Sequence, residues 1–381
     1  MTIFPPMRLN KPNIRRMLDI LSSKGLRMSN MNQQHVLVRP LGWTISAAAA
    51  LSILAGASLI TKEAAAEDAN AAFGGTSRHP SAAQLSKSVS LSPIAASVVT
   101  HGAQYGTGGV ALRNRGAGVI GVSGVLAPVK AAYLYWAVIV NGAIPPAVQS
   151  IKLARVLPTV AAPVTLTGTI IRTGLSPCWP RPVLAGGPIV VFRASVPLTL
   201  ANGNGFYSVT LNPGASGLTD GEDPWNGNIK FPLFEGASLV IVGTGTSTVA
   251  IFDKGLAGNS FNANPGISYT LNLPAAVRGS PVLFDNIGAD GQRGTSRLDD
   301  PGLSSETTLL NFVNIAGPGS NANDSDWNGN SGLPLPQLWD DVGHEVTAAV
   351  PIGTTRLNFN VSSSFSTWDC LTPVANVVSF H

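Results

Sequence analysis

The stretch Asn323-Asp324-Ser325-Asp326-Trp327-Asn328-Gly329-Asn330 crowds acids, amides and a glycine into a few residues of a chain that is only 12% charged. Asp324-x-Asp326-x-Asn328-Gly329 matches the opening of a calcium loop, in which alternating side-chain oxygens converge on the ion and glycine permits the turn. Asp324, Asp326, Asn328 and Asn330 are therefore the candidate calcium ligands. An EF-hand carries a bidentate glutamate at the twelfth loop position, where this chain has Leu335, so a helix-loop-helix is not expected. Asp340, Asp341 or carbonyls of neighbouring strands would complete the shell. The segment Trp225-Asn226-Gly227-Asn228 is an earlier copy of Trp327-Asn328-Gly329-Asn330, but Pro224 stands where the later copy has Asp326. An Asn-Gly turn with the tryptophan packed beneath it explains both copies, and calcium explains only the second.

A second constellation follows at Asp340, Asp341, His344 and Glu345, where a carboxylate could orient an imidazole or two carboxylates could divide acid and base roles. The same residues lead into Val346, the expected start of a strand, and an acidic loop there would simply be solvated. Asp285 to Gly291 reads as another oxygen-rich loop, either a further cation site or a set of Asx turns. The chain has no G-x-S-x-G nucleophile elbow and no H-E-x-x-H zinc motif. Gly243-Thr244-Gly245-Thr246 lacks the Lys-Ser/Thr ending of a phosphate loop and reads as a turn between paired strands.

Arg39 precedes a charge-free run from Leu41 to Ile60, followed by small-residue sites at Ala64-Ala65-Ala66 and Ala69-Asn70-Ala71. This order of basic flank, apolar core and A-x-A site is that of a signal peptide, so the mature chain is expected outside the cytoplasm, with no membrane span of its own. The eight bases and two acids of residues 1–66 leave sixteen bases against eighteen acids, which removes the case for nucleic acid as a partner. Between Ala69 and Thr219 there are ten bases and no acid, whereas from Asp220 onward there are sixteen acids and six bases. Two halves that attract one another, or carboxylates offset by bound cations, would account for the asymmetry. The two cysteines, Cys178 and Cys370, are expected to form a disulfide in an oxidising compartment. Such a bridge would close a loop of about 190 residues, worth roughly 4 to 5 kcal/mol in the chain-entropy model.

Strand-like runs recur after residue 96, and Ala131 to Val140 is the strongest, being aromatic and β-branched before Asn141-Gly142. It should be a central strand, with Tyr133, Tyr135 and Trp136 in the core. Asn202-Gly203-Asn204-Gly205 reads as a hairpin turn and Val346 to Val350 as a strand; Thr307 to Val313 reads as a further strand, with a short helix over Ser304 to Phe312 as the alternative. Short strands punctuated by Gly, Pro and Asn predict an all-β fold, an antiparallel β-sandwich in two packed sandwich units. The expected organisation is residues 1–66 as extension and signal peptide, 67–95 as an arm, 96–219 as a basic β domain and 220–381 as an acidic one. Lys130 to Trp136, Gly236 to Val242 with Ile251-Phe252-Asp253, the Asp-rich segment and Leu338-Trp339-Asp340 together resemble a loose group of secreted bacterial β-sandwich surface proteins. That resemblance implies location and fold and supplies no catalytic residues.

Three functions fit these features. One is a secreted structural or adhesive surface protein with calcium-stabilised loops. Another is a secreted hydrolase acting on a polysaccharide or other polymer, with carboxylates between Asp220 and Glu345 as its machinery. The last is a carbohydrate-binding module with Trp179, Trp225 or Trp339 as exposed stacking platforms, its partner an extracellular glycan.

Overall fold

The computed structural model describes residues 89–90, 93–113, 115–175, 188–215, 231–256, 261–262, 266–289, 306–317, 320, 326–327, 339–363 and 370–381. The strands, in chain order, are β1 (Val89–Ser90), β2 (Ile94–Ala95), β3 (Val98–Ala111), β4 (Ala117–Val122), β5 (Val129–Ile139), β6 (Ser150–Leu157), β7 (Val164–Thr167), β8 (Thr169–Leu175), β9 (Pro188–Ser195) and β10 (Gly205–Leu211). They continue with β11 (Leu233–Thr244), β12 (Ser247–Phe252), β13 (Phe261–Asn262), β14 (Ile267–Asn272), β15 (Leu283–Ala289), β16 (Glu306–Leu310), β17 (Val313–Ala316), β18 (Trp339–Glu345), β19 (Arg356–Ser363) and β20 (Cys370–Phe380). Among the described residues, helix is limited to 3-10 turns at Pro146–Gln149 and Thr347–Ala349. The protein is all-β, and apart from the short β1 and β2, which run parallel to β14, its ladders are antiparallel.

The long strand β3 explains how two sandwiches arise from one chain. Residues Gly236 to Thr244 of β11 pair with Ala111 to Ala103 of β3, and Ser247 to Ile251 of β12 carry the antiparallel pairing on from Ala103 to Val98 in a shifted register, Thr244 and Ser247 both lying opposite Ala103. β11 and β12 are thus one interrupted run along β3, and the Gly245 amide bonds the Gly102 carbonyl across the break (2.9 Å). Beyond this break the neighbours diverge: β11 continues into β5, β9 and β8, while β12 continues into β20, β15 and β18. The first set faces the four-stranded sheet β4-β10-β6-β7 across a core that includes Trp136, Phe192, Tyr207 and Leu239. The second faces the sheet built on β14, β19, β16 and β17, across a core that includes Phe252, Phe284, Phe359 and Phe380.

A third apolar layer lies where the two sandwiches meet back to back. Tyr135, Ala137, Ile139 and Val191 from the first meet Ile287, Trp339, Ala375 and Val377 from the second. Central strands are consequently buried on both faces, which is why β5 reads as continuously apolar while β14 alternates Ile267, Tyr269 and Leu271 inward with polar residues outward. Each large side chain removed from water contributes about 1.5 to 3 kcal/mol. Tyr135 and Trp136 are fully buried, as expected of the core, and Tyr133 packs at its margin.

Several local expectations differ from the structure. β11 and β12 do not pair across Gly243 to Thr246, because the chain runs on along β3 without reversing. Asn202 to Gly205 is not a hairpin either: β9 pairs with β5 and β8, while β10 pairs with β4 and β6 in the opposite sheet. Within Thr307 to Val313 the strand reading holds and the short helix over Ser304 to Phe312 does not, because Glu306, Thr308 and Leu310 are buried in alternation along β16. Val346 to Val350 holds the 3-10 turn, and the strand precedes it as β18. Asp285 to Ala289, read as loop, belongs to β15 and is buried.

Candidate functional site

The polar groups of the layer between the sandwiches begin with an alternation on β3. Tyr105, Thr107 and Gly109 point toward β15 and β18, while Gly106 and Gly108 lie against the backbone of β4. The Tyr105 hydroxyl donates to Asp285 Oδ2, and Thr107 Oγ1 donates to Asp285 Oδ1 at 2.8 Å. Burial raises the Asp285 carboxyl above its ordinary range, and the two hydroxyls work against that rise. Tyr105, pushed far up by burial and then by Asp285, stays a proton donor.

Asp341 enters the same layer from β18. It sits where β3 carries no side chain: a Cβ on Gly109 would lie 2.8 Å from Asp341 Cβ and 2.9 Å from Trp339 Nε1. Both Asp341 carboxylate oxygens are buried, and neither has a hydrogen-bond partner among the described residues. Burial, followed by the charge of Asp285, raises its pKa to about 7, while the Ser238 and Thr107 hydroxyls oppose the rise without reaching good hydrogen-bonding geometry. An acid in that range is the kind that general acid–base chemistry needs.

Strand β18 divides the four candidate catalytic residues. Successive side chains of a strand point to opposite faces, so Trp339 and Asp341 face β3 and β11 while Asp340 and His344 face the other way. Asp340 is fully buried. His344 Nε2 meets Asp326 Oδ1 at 2.5 Å. Burial alone would lower the imidazole pKa, but the hydrogen bond and charge of Asp326, with Asp285 behind it, hold it above the ordinary value. Glu345 is exposed and accepts the Thr347 amide at 3.0 Å, which lowers its pKa. Asp341 and His344 therefore share no face, and the geometry assembles no acid–base couple from them.

Of the proposed calcium ligands, Asp326 alone is described; Asp324, Asn328 and Asn330 lie outside the described residues, as does Cys178 of the expected disulfide. Asp326 is fully buried, with Oδ1 held by His344 and Oδ2 without a partner among the described residues. A buried carboxylate oxygen left over in this way fits a cation ligand. Among the described residues no three His, Cys, Asp or Glu side chains converge as a metal-binding group. Trp327 is buried, with its ring against Gly288, whereas the Asn328-Gly329 turn read above it lies outside the described residues. Trp339, expected as an exposed stacking platform, is instead fully buried: its ring lies over Gly236 and its Nε1–H donates to Ser238 Oγ at 2.9 Å. Trp179 and Trp225 lie outside the described residues.

A second carboxylate of the layer has a different fate. Asp253 is fully buried and accepts the Tyr135 hydroxyl at 2.8 Å, Arg193 Nη1 at 2.6 Å and the Ser97 hydroxyl. Arg113 and Glu235 form another buried pair at 2.5 Å. Arg172 reaches from β8 to the Pro373 and Val374 carbonyls of β20, and burial lowers its pKa to about 10. These arginines all come from the acid-free half of the sequence, and their partners from the acid-rich half. Attraction within the chain thus accounts for part of the charge segregation. Residue types alone did not single out Tyr105, Thr107, Arg193 or Asp253, although the Tyr-Gly-Thr-Gly-Gly alternation of β3 marks a strand with bulky neighbours on both sides.

No protein-family model matches the chain, and no curated protein does. Among solved structures, a recombinant peptide N-glycanase F is similar at 12% identity and a TM-score of 0.23, over 73% of this chain and 96% of that one. A peptide-N(4)-(N-acetyl-β-D-glucosaminyl) asparagine amidase gives 11% and 0.24, over 73% and 96%. A glycosylasparaginase from Flavobacterium meningosepticum gives 12% and 0.23, over 72% and 96%.

Proposed function

We propose that this is an exported structural or adhesive surface protein, with calcium bound in the loop of Asp324, Asp326, Asn328 and Asn330. The observation that carries the proposal is the use of charge. Asp253, Glu235, Arg113, Arg172 and Arg193 join strands across the fold, and the residues offered for catalysis divide between the two faces of β18. The unpartnered Asp326 Oδ2 supports the calcium part. A ligand that binds only the native state raises stability by RT ln(1 + [L]/Kd), about 2.7 kcal/mol at a hundredfold excess over Kd. The expected result is a melting temperature that rises with millimolar calcium and falls with chelator; identical melting in both removes calcium from the proposal.

A second reading, a hydrolase of a polysaccharide or other polymer, is favoured by Asp341, whose free carboxyl beside Asp285 has a pKa near neutrality. Assays on a panel of glycans and chromogenic esters decide between the two. Hydrolysis that disappears in a folded Asp341→Asn variant would replace the adhesive proposal with the catalytic one.

A further inference from the structure

The hairpin between β16 and β17 has an unusual tip. Leu310 pairs with Val313, leaving a two-residue loop of Asn311 (φ 48°) and Phe312 (φ 68°). Such a loop needs left-handed backbone at both positions, which Asn tolerates and Gly prefers. Phenylalanine is strained there, because its Cβ crowds the following carbonyl oxygen. The tip is nonetheless well anchored: the Asn311 side-chain Nδ2 donates to the Ala349 carbonyl at 2.9 Å, and its Oδ1 accepts the Asn358 backbone amide at 2.9 Å. Phe312 points away from the protein and is 85% exposed. A strained backbone that holds an apolar ring in water is an outlier of the kind that accompanies binding.

The surroundings say what the ring would meet. Asn311 and Val313, on either side of Phe312, line a concavity of about 580 Å³. Pro351 and Gly353 line it opposite, and between them Ile352 is 76% exposed. The polar part of the lining comes from Thr355, which directly precedes β19, and from Arg356 and Asn358 on the exposed face of that strand. The Arg356 guanidinium has no partner among the described residues, and the lining contains no acid. Glu345, just before the 3-10 turn that contributes Ala348 and Ala349, is held by the Thr347 amide. The Asn358 side chain accepts from Thr270 Oγ1 through its oxygen (2.9 Å), leaving its NH2 available.

We infer that this concavity is a binding site for an acidic saccharide. Phe312 stacks on the apolar face of a sugar ring, Asn358 and Thr355 meet its hydroxyls, and Arg356 pairs with its carboxylate, as a planar guanidinium does best. The site extends the adhesive proposal by naming a ligand, and rests on it for the biological setting alone, because binding to purified polymer is measured without cells or calcium.

The test is calorimetric titration of the full chain with oligogalacturonate, and with neutral dextran oligomers of equal length as control. Binding of oligogalacturonate and not dextran is expected, with roughly tenfold or greater weakening in each of Phe312→Gly and Arg356→Gln, a loss of at least 1.4 kcal/mol. Phe312→Gly is also expected to melt about 2 °C higher, since glycine relieves the left-handed strain. That combination of higher stability with lost binding separates a ligand-binding ring from a packing one. No binding of oligogalacturonate, equal binding of dextran, or unchanged binding in both variants would overturn the assignment. Loss of cell adhesion with retained oligosaccharide binding would count against the adhesive proposal alone.

Discussion

Tyr135 and Tyr105 perform the same act at two points of the layer between the sandwiches: each donates its hydroxyl to an aspartate contributed by the later part of the chain. Around Asp253 the environment is complete, with Arg193 and Ser97 joining Tyr135 on its oxygens. Among the described residues Asp285 accepts hydrogen bonds from hydroxyls alone, and the next charged group in the layer is another acid, Asp341, whose oxygens have no partner there. The first aspartate is a fully hydrogen-bonded ion pair that locks strands together. The second belongs to a site that must either hold a proton or suffer repulsion. Burial is similar in the two places, so it is the presence of one arginine that separates a structural carboxylate from a reactive or pH-sensitive one.

The largest effect should come from the complete site. Asp253→Ala leaves the Arg193 guanidinium facing a gap in a largely buried network, and a loss of about 3 to 5 kcal/mol in urea denaturation is expected. A loss below about 1 kcal/mol would mean that Asp253 and Asp285 are equivalent and the contrast is empty. Asp341→Asn should act in the opposite direction. The folded-state pKa of Asp341 is raised to about 7, so the native state binds a proton that the unfolded chain releases near 4, and stability declines as pH rises between those values. Asparagine mimics the protonated form. The variant is expected to be more stable than the parent at pH 8, by on the order of 2 kcal/mol after allowing for screening, and nearly equal to it at pH 4. Destabilisation at pH 8 would show that the Asp341 carboxylate has a cationic partner there.

The tyrosines sharpen the same contrast at smaller scale. Tyr135→Phe removes one of several donors to Asp253 and should cost about 1 kcal/mol at any pH between 5 and 8. Tyr105→Phe leaves Asp285 with Thr107 alone, and a hydrogen bond to a charged group is worth about 1.5 to 3 kcal/mol. Its cost should therefore grow as pH rises and Asp285 ionises. Equal and pH-independent losses in the two variants would indicate that Asp285 stays protonated throughout.

How much of this could be read in advance depended on what burial demands of a residue. β5, β14 and β19 were evident because a strand in a sandwich must place apolar side chains on its buried faces, and no distant residue is needed to recognise it. β15 and β18 were hidden because Asp285, Asp340 and Asp341 are poor strand formers taken alone. Their burial depends on Tyr105, Thr107 and the bare Gly109, which lie far away in the sequence and meet them only in the folded chain. The run from Gly243 to Thr246 misled for a related reason. Glycines mark where a strand is interrupted but do not tell reversal from continuation, and that choice is made by the length of β3. The candidate site suffered most, since alternation along β18 separates residues that adjacency had grouped.

The smallest expected effect concerns the far face of β18, where His344 and Asp326 form a third kind of carboxylate site, one with a titratable partner. The His344 pKa is raised in the folded state, so the extra stability is fully present below the ordinary histidine value of about 6.5 and is lost as pH climbs through the raised one. His344→Gln should accordingly cost about 1 kcal/mol more at pH 5 than at pH 9, a modest figure because the imidazole is partly accessible to solvent. Both His344 and Asp341 make the parent less stable as pH rises, so a downward slope in the wild-type protein cannot identify its source. The two single variants can. If the contrast between paired and unpaired acids is correct, Asp341→Asn flattens the slope between pH 4 and 7 and His344→Gln flattens it above about 6.5. A slope that survives in the double variant would belong to Asp285 on β15, whose carboxyl burial also raises, and adding Asp285→Asn should remove it.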